Sequence, residues 1–366
     1  MKCSRCESEN LILNGNFRGA KRTKCRDCGK FDTHRPDSGA LLQPRDGYMV
    51  KGTSTLVGPD GEVKAQWVKT NIDLERQREM MLAAIEELSK PLSGSWKPSK
   101  PSGRFERESL SAYIIGDAHF GAYAWGEECG EDFDTSIASH DLRCAIDRLV
   151  DGAPASETAY LVDVGDFLHA DSRKNVTPES GNPLDVDTRY QRVIRIAIEA
   201  LRYGIARLLG KHKKIKVFIT PGNHNPDSAG WMAMVLAAYY EREPRVKIET
   251  SPSKFYYQRF GKNLIGITHG DKIRLADLPS IMATDRPRDW GESDNRYWWT
   301  GHIHHTKHQE YRGCTVEAFN TLAGSDAWHH ASGYRSMRQM QRIDIDEEYG
   351  IYSRGIANIA MIRGEK

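Results

Sequence analysis

From Ser109 onward, short apolar runs alternate with longer stretches in which apolar residues recur every three or four positions. Residues 112–115, 159–164, 216–220, 264–268 and 297–300 are apolar enough to predict strands buried on both faces. Between them, residues 188–209 keep helical spacing through Tyr190, Val193, Ile194, Ala197, Leu201, Ile205 and Leu208. This alternation predicts an α/β domain over 109–366, with its chemistry just past the strand ends. Trp298 and Trp299 fall on one of these strands and read as core.

Upstream the pattern is more broken. β-Type residues at 48–57 and 63–68 flank Gly58-Pro59-Asp60-Gly61, which predicts a hairpin. Residues 73–90 carry a helical stripe of Leu74, Met81, Ile85 and Leu88, with Asn71 or Asp73 as cap. Stretches 35–46 and 91–104, rich in Pro, Gly and Ser, read as linkers. Residues 36–108 thus form a linker segment with a hairpin and a helix, and residues 1–35 stand apart. No run of 18 apolar residues and no apolar signal core occurs, which predicts a cytoplasmic protein without a membrane partner.

Composition changes this picture little, but charge distribution changes it more. With 39% apolar and 28% charged residues, wholesale disorder is excluded. The net charge of +2 (52 − 50) demands no polyanionic partner. Yet residues 1–35 carry +5 (9 − 4), and residues 188–216 carry +8, nine Lys/Arg against Glu199, so everything else totals −11. The basic helix could guide a polyanion or simply be a solvated face. Glu127, Glu128, Glu131, Asp132 and Asp134 would repel phosphate unless their loop faces away.

Four of the seven cysteines lie in the first 28 residues. Cys3-x-x-Cys6 and Cys25-x-x-Cys28, with 18 residues between the pairs, have the spacing of a structural zinc site. With Arg18, Lys21, Arg22, Lys24 and Arg26 around it, the segment resembles the zinc ribbons of transposases and transcription factors. Those basic residues suit contacts to a phosphate backbone, the alternative being a docking or stabilising knob.

The residues after the predicted strands share a chemistry. In order they are Gly116-Asp117-Ala118-His119, Gly165-Asp166-Phe167-Leu168-His169, Gly222-Asn223-His224, His269-Gly270-Asp271 and Gly301-His302-Ile303-His304. One Asp or His at a strand end is ordinarily a loop hydrogen-bonder. These five segments together supply carboxylates, an amide oxygen and imidazoles, a donor set for Mn, Fe or Zn that exceeds the needs of one ion.

In this order, over residues 110–330, the segments resemble the calcineurin-like metallophosphoesterase superfamily. The resemblance implies a two-sheet β-sandwich flanked by helices and two divalent ions, manganese first, with iron or zinc as alternatives. It assigns Asp117, His119 and His304 to one ion and Asn223, His269 and His302 to the other, with Asp166 bridging. No protein nucleophile is then needed, and His224, beside a ligand, becomes the general acid for the leaving alkoxide. The superfamily usually carries an acidic residue where Asn225 stands, so orienting His224 would fall to Asn225 or Asp227.

The subclass follows from what surrounds Asp166. Protein Ser/Thr phosphatases of the superfamily continue with Asp-Arg-Gly, which is missing here. A His three residues past the bridging Asp is similar to the double-strand-break-repair nucleases, and makes His169 a residue that positions a phosphodiester. A surface-loop histidine is the competing reading. The expectation is a two-metal phosphodiesterase acting on nucleic acid, most simply a DNA nuclease oriented by the ribbon. The rivals are a phosphodiesterase for cyclic or dinucleotide substrates, with the ribbon used for assembly, and an inactive nucleic-acid adaptor. The repair nucleases act as homodimers with an ATPase partner, but no partner motif stands out. His305, His308, His329 and His330 are not assigned as ligands.

Overall fold

The computed structural model describes residues 2–17, 20–34, 48–57, 63–72 and 106–364. The chain divides into two compact units, Met1–Ala84 and Ile85–Lys366. The expected helix at 73–90 and the two linkers lie outside the described residues. Among those described, no helix is long and apolar enough to cross a membrane.

In the first unit, β1 (Leu11–Phe17), β2 (Ala20–Cys25) and β3 (Phe31–His34) form an antiparallel sheet in that order. Strand β2, with the sequence AKRTKC, has little apolar character of its own. Its outer neighbours and the buried Cys25 hold it. β4 (Tyr48–Val57) pairs with β5 (Val63–Ile72) as the expected hairpin, which runs to Ile72 rather than stopping at Val68.

The second unit is built on two sheets. The larger has the order β16-β15-β6-β7-β8-β9, with β6 (Glu106–Ile115), β7 (Ser156–Asp163), β8 (Lys214–Ile219), β9 (Val246–Ile248), β15 (Gln339–Asp346) and β16 (Gly350–Asn358). Strands β6 to β9 are mutually parallel, and β15 and β16 add an antiparallel edge. The smaller sheet has the order β10-β11-β12-β14-β13, from β10 (Tyr256–Phe260), β11 (Asn263–Ile267), β12 (Asn295–Thr300), β13 (Lys307–Tyr311) and β14 (Cys314–Ala318). Strands β11, β12 and β14 are its parallel centre.

Period-two alternation in each strand divides the core into three layers. Leu110, Ile114, Val162, Phe218, Ile265, Ile267, Trp299 and Ile343 meet between the sheets. Tyr113, Leu161 and Val217 face the opposite way, against α1 (Thr135–Asp151), α2 (Tyr190–Lys211) and α3 (Ser228–Tyr239). Leu264, Trp298 and Val316 pack under α4 (Leu278–Asp285), where the Trp298 indole donates to Leu278 O at 2.8 Å. This is the expected two-sheet sandwich flanked by helices. The parallel strands all end on one side, so the turns after β6, β7, β8, β11 and β12 converge.

Candidate active site

The turns leaving these strands are sharply bent, and their bends fall on the chemically active residues. Asp117, His119, Asp166, His302 and His304 have φ between +36° and +70°. Among the described residues, Glu7 and Asn175 are the other non-glycines in that region. Left-handed backbone is costly for a side-chain-bearing residue and persists where its surroundings hold it. Here His302 N donates to Asp117 Oδ1 at 3.0 Å, His119 N to Asp166 O at 3.0 Å, and Thr321 Oγ1 to Asp117 O at 2.8 Å.

Two glycines make room for the same residues. A Cβ on Gly222 would lie 2.6 Å from Asp166 N, and one on Gly165, at φ +108°, would lie 2.7 Å from His269 Cγ. Neither position tolerates a larger residue without displacing a site side chain.

The side chains gather into adjoining sets whose ligand atoms lie within 4.8 Å of one another. Asp117, His119 and His304 form one, with His119 Nε2 3.2 Å from His304 Nε2 and His304 Nε2 3.6 Å from Asp117 Oδ1. Asp166, His269 and His302 form the second, where His269 Nε2 lies 3.1 Å from Asp166 Oδ2 and 3.0 Å from Asn223 Oδ1. His119, His169 and His224 form a third.

Hydrogen bonds fix the faces of these rings. Val164 O accepts from His269 Nδ1 at 3.0 Å, which turns Nε2 toward Asp166 and Asn223. His119 Nδ1 lies at hydrogen-bond distance from His169 Nδ1, 3.2 Å, leaving His119 Nε2 facing His304.

Electrostatics favour cations in these sets. Asp117 and Asp166 are almost completely buried, and among the described residues their ion-pair partners are histidines rather than Lys or Arg. Burial, aided by the nearby Asp166 charge, pushes Asp117 up to about 7. Burial also opposes ionisation of Asp166, but His269 outweighs it and holds that carboxyl well below its usual range. Burial lowers His119 well below its ordinary value and takes His169 and His304 to about 3, so these imidazoles stay neutral with a lone pair to offer. Burial opposes protonation of His269 too, but Asp166 overrides it and raises His269 to about 10, a proton that a cation would replace. Buried carboxylates, neutral imidazoles and an amide oxygen in contact fit divalent metal ions.

His224 is half-buried at the rim. Its N–H donates to Asp166 Oδ1 at 2.8 Å, and its Nδ1 donates to His169 O at 2.8 Å. The orienting partner is therefore a backbone carbonyl, and neither Asn225 nor Asp227 fills that place. Asn225 is fully buried, and its side-chain amide has no hydrogen-bond partner. His169 is no surface-loop residue: it is 3% exposed and stacks on His224, with ring centroids 5.2 Å apart.

Asp326 and His329 carried no role in the sequence reading. Asp326 Oδ1 accepts from His329 Nδ1 at 2.7 Å, and the His329 ring stacks on His304 at 4.7 Å and 15°. The one sequence signal was an Asp with a His three residues later, a common helix-capping pattern.

The basic helix resolves differently from its composition. Arg207 pairs with Asp147 and Asp151, Lys213 and Lys214 with Glu157, and Lys216 with Glu249. Arg202 is buried, with its guanidinium over the Tyr239 ring. Arg189, Arg192 and Arg195 remain exposed at the start of α2, where Tyr190 OH donates to Asp171 O in the loop after His169. The acidic loop is partly structural. Asp134 caps α1, Asp132 accepts from Gly126 N, and Glu131 pairs with Arg338 at 2.7 Å, while Glu127 and Glu128 are exposed.

In the first unit, the Cys3, Cys6, Cys25 and Cys28 sulfurs cluster within 4.8 Å of one another. Cys3 Sγ lies 3.4 Å from Cys28 Sγ and Cys6 Sγ 3.6 Å from Cys25 Sγ, near the edge of about 3.8 Å in a tetrahedron with zinc–sulfur bonds of about 2.3 Å. The Arg5 N–H, donating to Cys3 Sγ, lowers that thiol to about 7, whereas Cys6 and Cys28 are raised, so Cys3 is the thiolate of the unmetallated cluster and a metal would displace the other protons. Of the basic residues around it, Arg18 lies outside the described residues, Lys21 and Arg22 are on β2, Lys24 lies over the Phe31 ring, and Arg26 is exposed.

Comparison with known proteins gives this site a family. The model for the calcineurin-like phosphoesterase family matches residues 110–335. No curated protein matches the chain. Among solved structures, a dimetal phosphatase from Danio rerio aligns at 8% identity over 68% of this chain and 99% of its own, with a TM-score of 0.36. Vacuolar Protein Sorting 29 from Cryptosporidium parvum aligns at 13% identity over 68% and 96%, with a TM-score of 0.32. A conserved Streptococcus pneumoniae protein described as a phosphoesterase aligns at 11% over 68% and 98%, with a TM-score of 0.27. The match over 110–335 spans more than half of the chain and all five strand-end segments, and the chain therefore belongs to the calcineurin-like phosphoesterase family of metal-dependent phosphoesterases, which bind two divalent ions.

Proposed function

We propose that this phosphoesterase is a phosphodiesterase acting on nucleic acid, most simply a DNA nuclease. The observation that carries the phosphodiesterase reading is the pairing of His224 with buried His169, three residues past Asp166; His224 is the acid. Its ring sits at the rim of the two donor sets, with Nδ1 committed to His169 O, so Nε2 is left to give a proton to a leaving oxygen. Asp117, His119 and His304 would hold one ion, Asn223, His269 and His302 the other, and Asp166 both. When bound, the ions would polarise the phosphoester and make water an effective nucleophile near neutral pH. His169 supports His119 and His224 from behind, and Val164 O keeps His269 in its ligating tautomer.

Nucleic acid as the substrate draws support from two places. The exposed Arg189, Arg192 and Arg195 recur at three-residue intervals, close to one face of α2, and can follow successive phosphates. The four-cysteine cluster, read as a zinc ribbon over 1–35 tethered by 36–108, adds Lys24 and Arg26 as backbone contacts. A second reading, a phosphodiesterase for cyclic or dinucleotide substrates, is favoured by a half-open cavity beside His304.

The test uses the full chain with Mn²⁺ on end-labelled single-stranded, duplex and hairpin DNA. Metal-dependent cleavage is expected, weakened in the double variant Arg192→Ala/Arg195→Ala and weakened further as salt rises. Turnover of bis-p-nitrophenyl phosphate with every DNA and RNA left intact would falsify the nuclease reading and favour the small nucleotides.

A further inference from the structure

The cavity beside the metal ligands has a volume of about 330 Å³, and the chemistry described so far does not use it. His304 forms one wall, and His329, His330, Tyr334 and Arg335 form much of the rest. That size is at the small end of ligand pockets and suits a unit as large as one nucleoside.

Its aromatic wall is fixed in place. Asp326 holds His329 against His304, as described above. Tyr334 meets the His329 ring edge-on at 5.6 Å and lies nearly parallel to Trp328, at 5.8 Å and 26°. Even so, Tyr334 is 43% exposed and Trp328 64% exposed. Large rings left in solvent next to a buried cluster of ligands are unusual unless something covers them.

The polar lining is biased toward cations. The Arg335 guanidinium donates to Tyr334 O at 2.7 Å and to His330 O at 3.0 Å, which fixes an exposed positive group at the edge. Glu131, the acidic residue of the lining, is already paired with Arg338. Rigid aromatic faces beside a fixed guanidinium suit a base and its attached phosphate.

We propose that this cavity receives the nucleoside esterified to the scissile phosphate, its base packed against Tyr334 and His329 and its outer sugar-phosphate edge met by Arg335. This rests on the phosphodiesterase reading of the metal centre. It makes the segment from Asp326 to Arg335 the element that distinguishes nucleotide diesters from simple ones. The nucleoside can come from a strand or from a free dinucleotide, and the cavity recognises the same unit in both.

The test compares two diesters with the same leaving group, thymidine 5′-(p-nitrophenyl phosphate) and methyl p-nitrophenyl phosphate, using the full chain with Mn²⁺. The wild type is expected to prefer the thymidine ester. Tyr334→Ala should raise its KM about tenfold, Tyr334→Phe should not, and any loss of kcat/KM on the methyl ester should be several-fold smaller than on the thymidine ester. No preference in the wild type, or equal losses on both esters in Tyr334→Ala, overturns the proposal while leaving the phosphodiesterase reading standing. Turnover of neither ester by the wild type overturns both. Competition by oligothymidylate alone assigns the cavity to a strand, and competition by thymidylyl dinucleotide as well extends it to free dinucleotides. Competition by neither overturns the proposal.

Discussion

His224 reaches its position through a contact that no motif displays. A general acid needs one nitrogen anchored and the other free, and the anchor here is the carbonyl of His169, 55 residues earlier. His224→Ala should therefore leave metal content unchanged and lower kcat on DNA or dinucleotides by about 10² to 10⁴-fold. The loss should be much smaller on p-nitrophenyl esters, whose leaving group needs no proton, and equal losses on both would remove His224 from the acid role. Gly165 acts differently. Gly165→Ala pushes a Cβ into the His269 ring, so the expected result is loss of bound metal, read by elemental analysis of Mn²⁺-loaded protein, with activity falling in parallel. The identities of both residues could be read from the sequence. Their working geometry could not, because it depends on backbone atoms far away along the chain.

Among the elements, those with apolar runs were found from sequence and those held by polar networks were not. Strand β7 is buried along its last five residues, which is what its apolar run predicts. Strand β15, QMQRIDID, is equally interior, yet five of its eight residues are polar. Arg342 and Asp344 form a buried pair at 2.9 Å, and Asp344 also accepts from Ser111 Oγ on β6 at 2.8 Å, so the polar atoms are satisfied by partners invisible to a local pattern. The cysteine-bearing sheet β1–β3 is the reverse case. Its strands are weak by propensity, and four cysteines at knuckle spacing carry the information. The expected outcome is one zinc per chain outside the active site in the wild type and none in Cys25→Ser, with turnover of p-nitrophenyl diesters retained. A Cys25→Ser chain that keeps that zinc would sink the assignment.

For the molecule as a whole, pH acts through a group remote from the metals. His212 is buried between Tyr113 OH, at 2.8 Å from Nε2, and Ser156 O, at 2.9 Å from Nδ1. Burial lowers it from 6.5 to about 4. As pH falls, the unfolded chain takes up this proton before the folded one does. The stabilisation is complete above about 6.5 and is lost progressively toward about 4, a change on the order of 3 kcal/mol. With metal held at saturation, Tm should fall between pH 7 and 5, and His212→Asn should flatten that slope. A slope unchanged in the variant would assign the acid sensitivity to other groups.

Charge at this scale shows where composition stops being informative. Of the nine cations from Arg189 to Lys216, four are consumed by carboxylates and one is buried over a tyrosine, which leaves half-buried Lys211 at the end of α2 and three exposed arginines at its start. By itself the sequence determined the α/β domain and the ordered set of donors, because a buried strand is a local pattern and a ligand just past its end is delivered by the adjoining turn; the two-sheet sandwich was legible only through the family resemblance those donors carry. Tertiary structure decided which donors lie together, what orients His224, which arginines stay exposed, and that Tyr334 and His329 wall a cavity at His304. Those properties arise from contacts between segments tens to hundreds of residues apart, where packing rather than periodicity sets the distance.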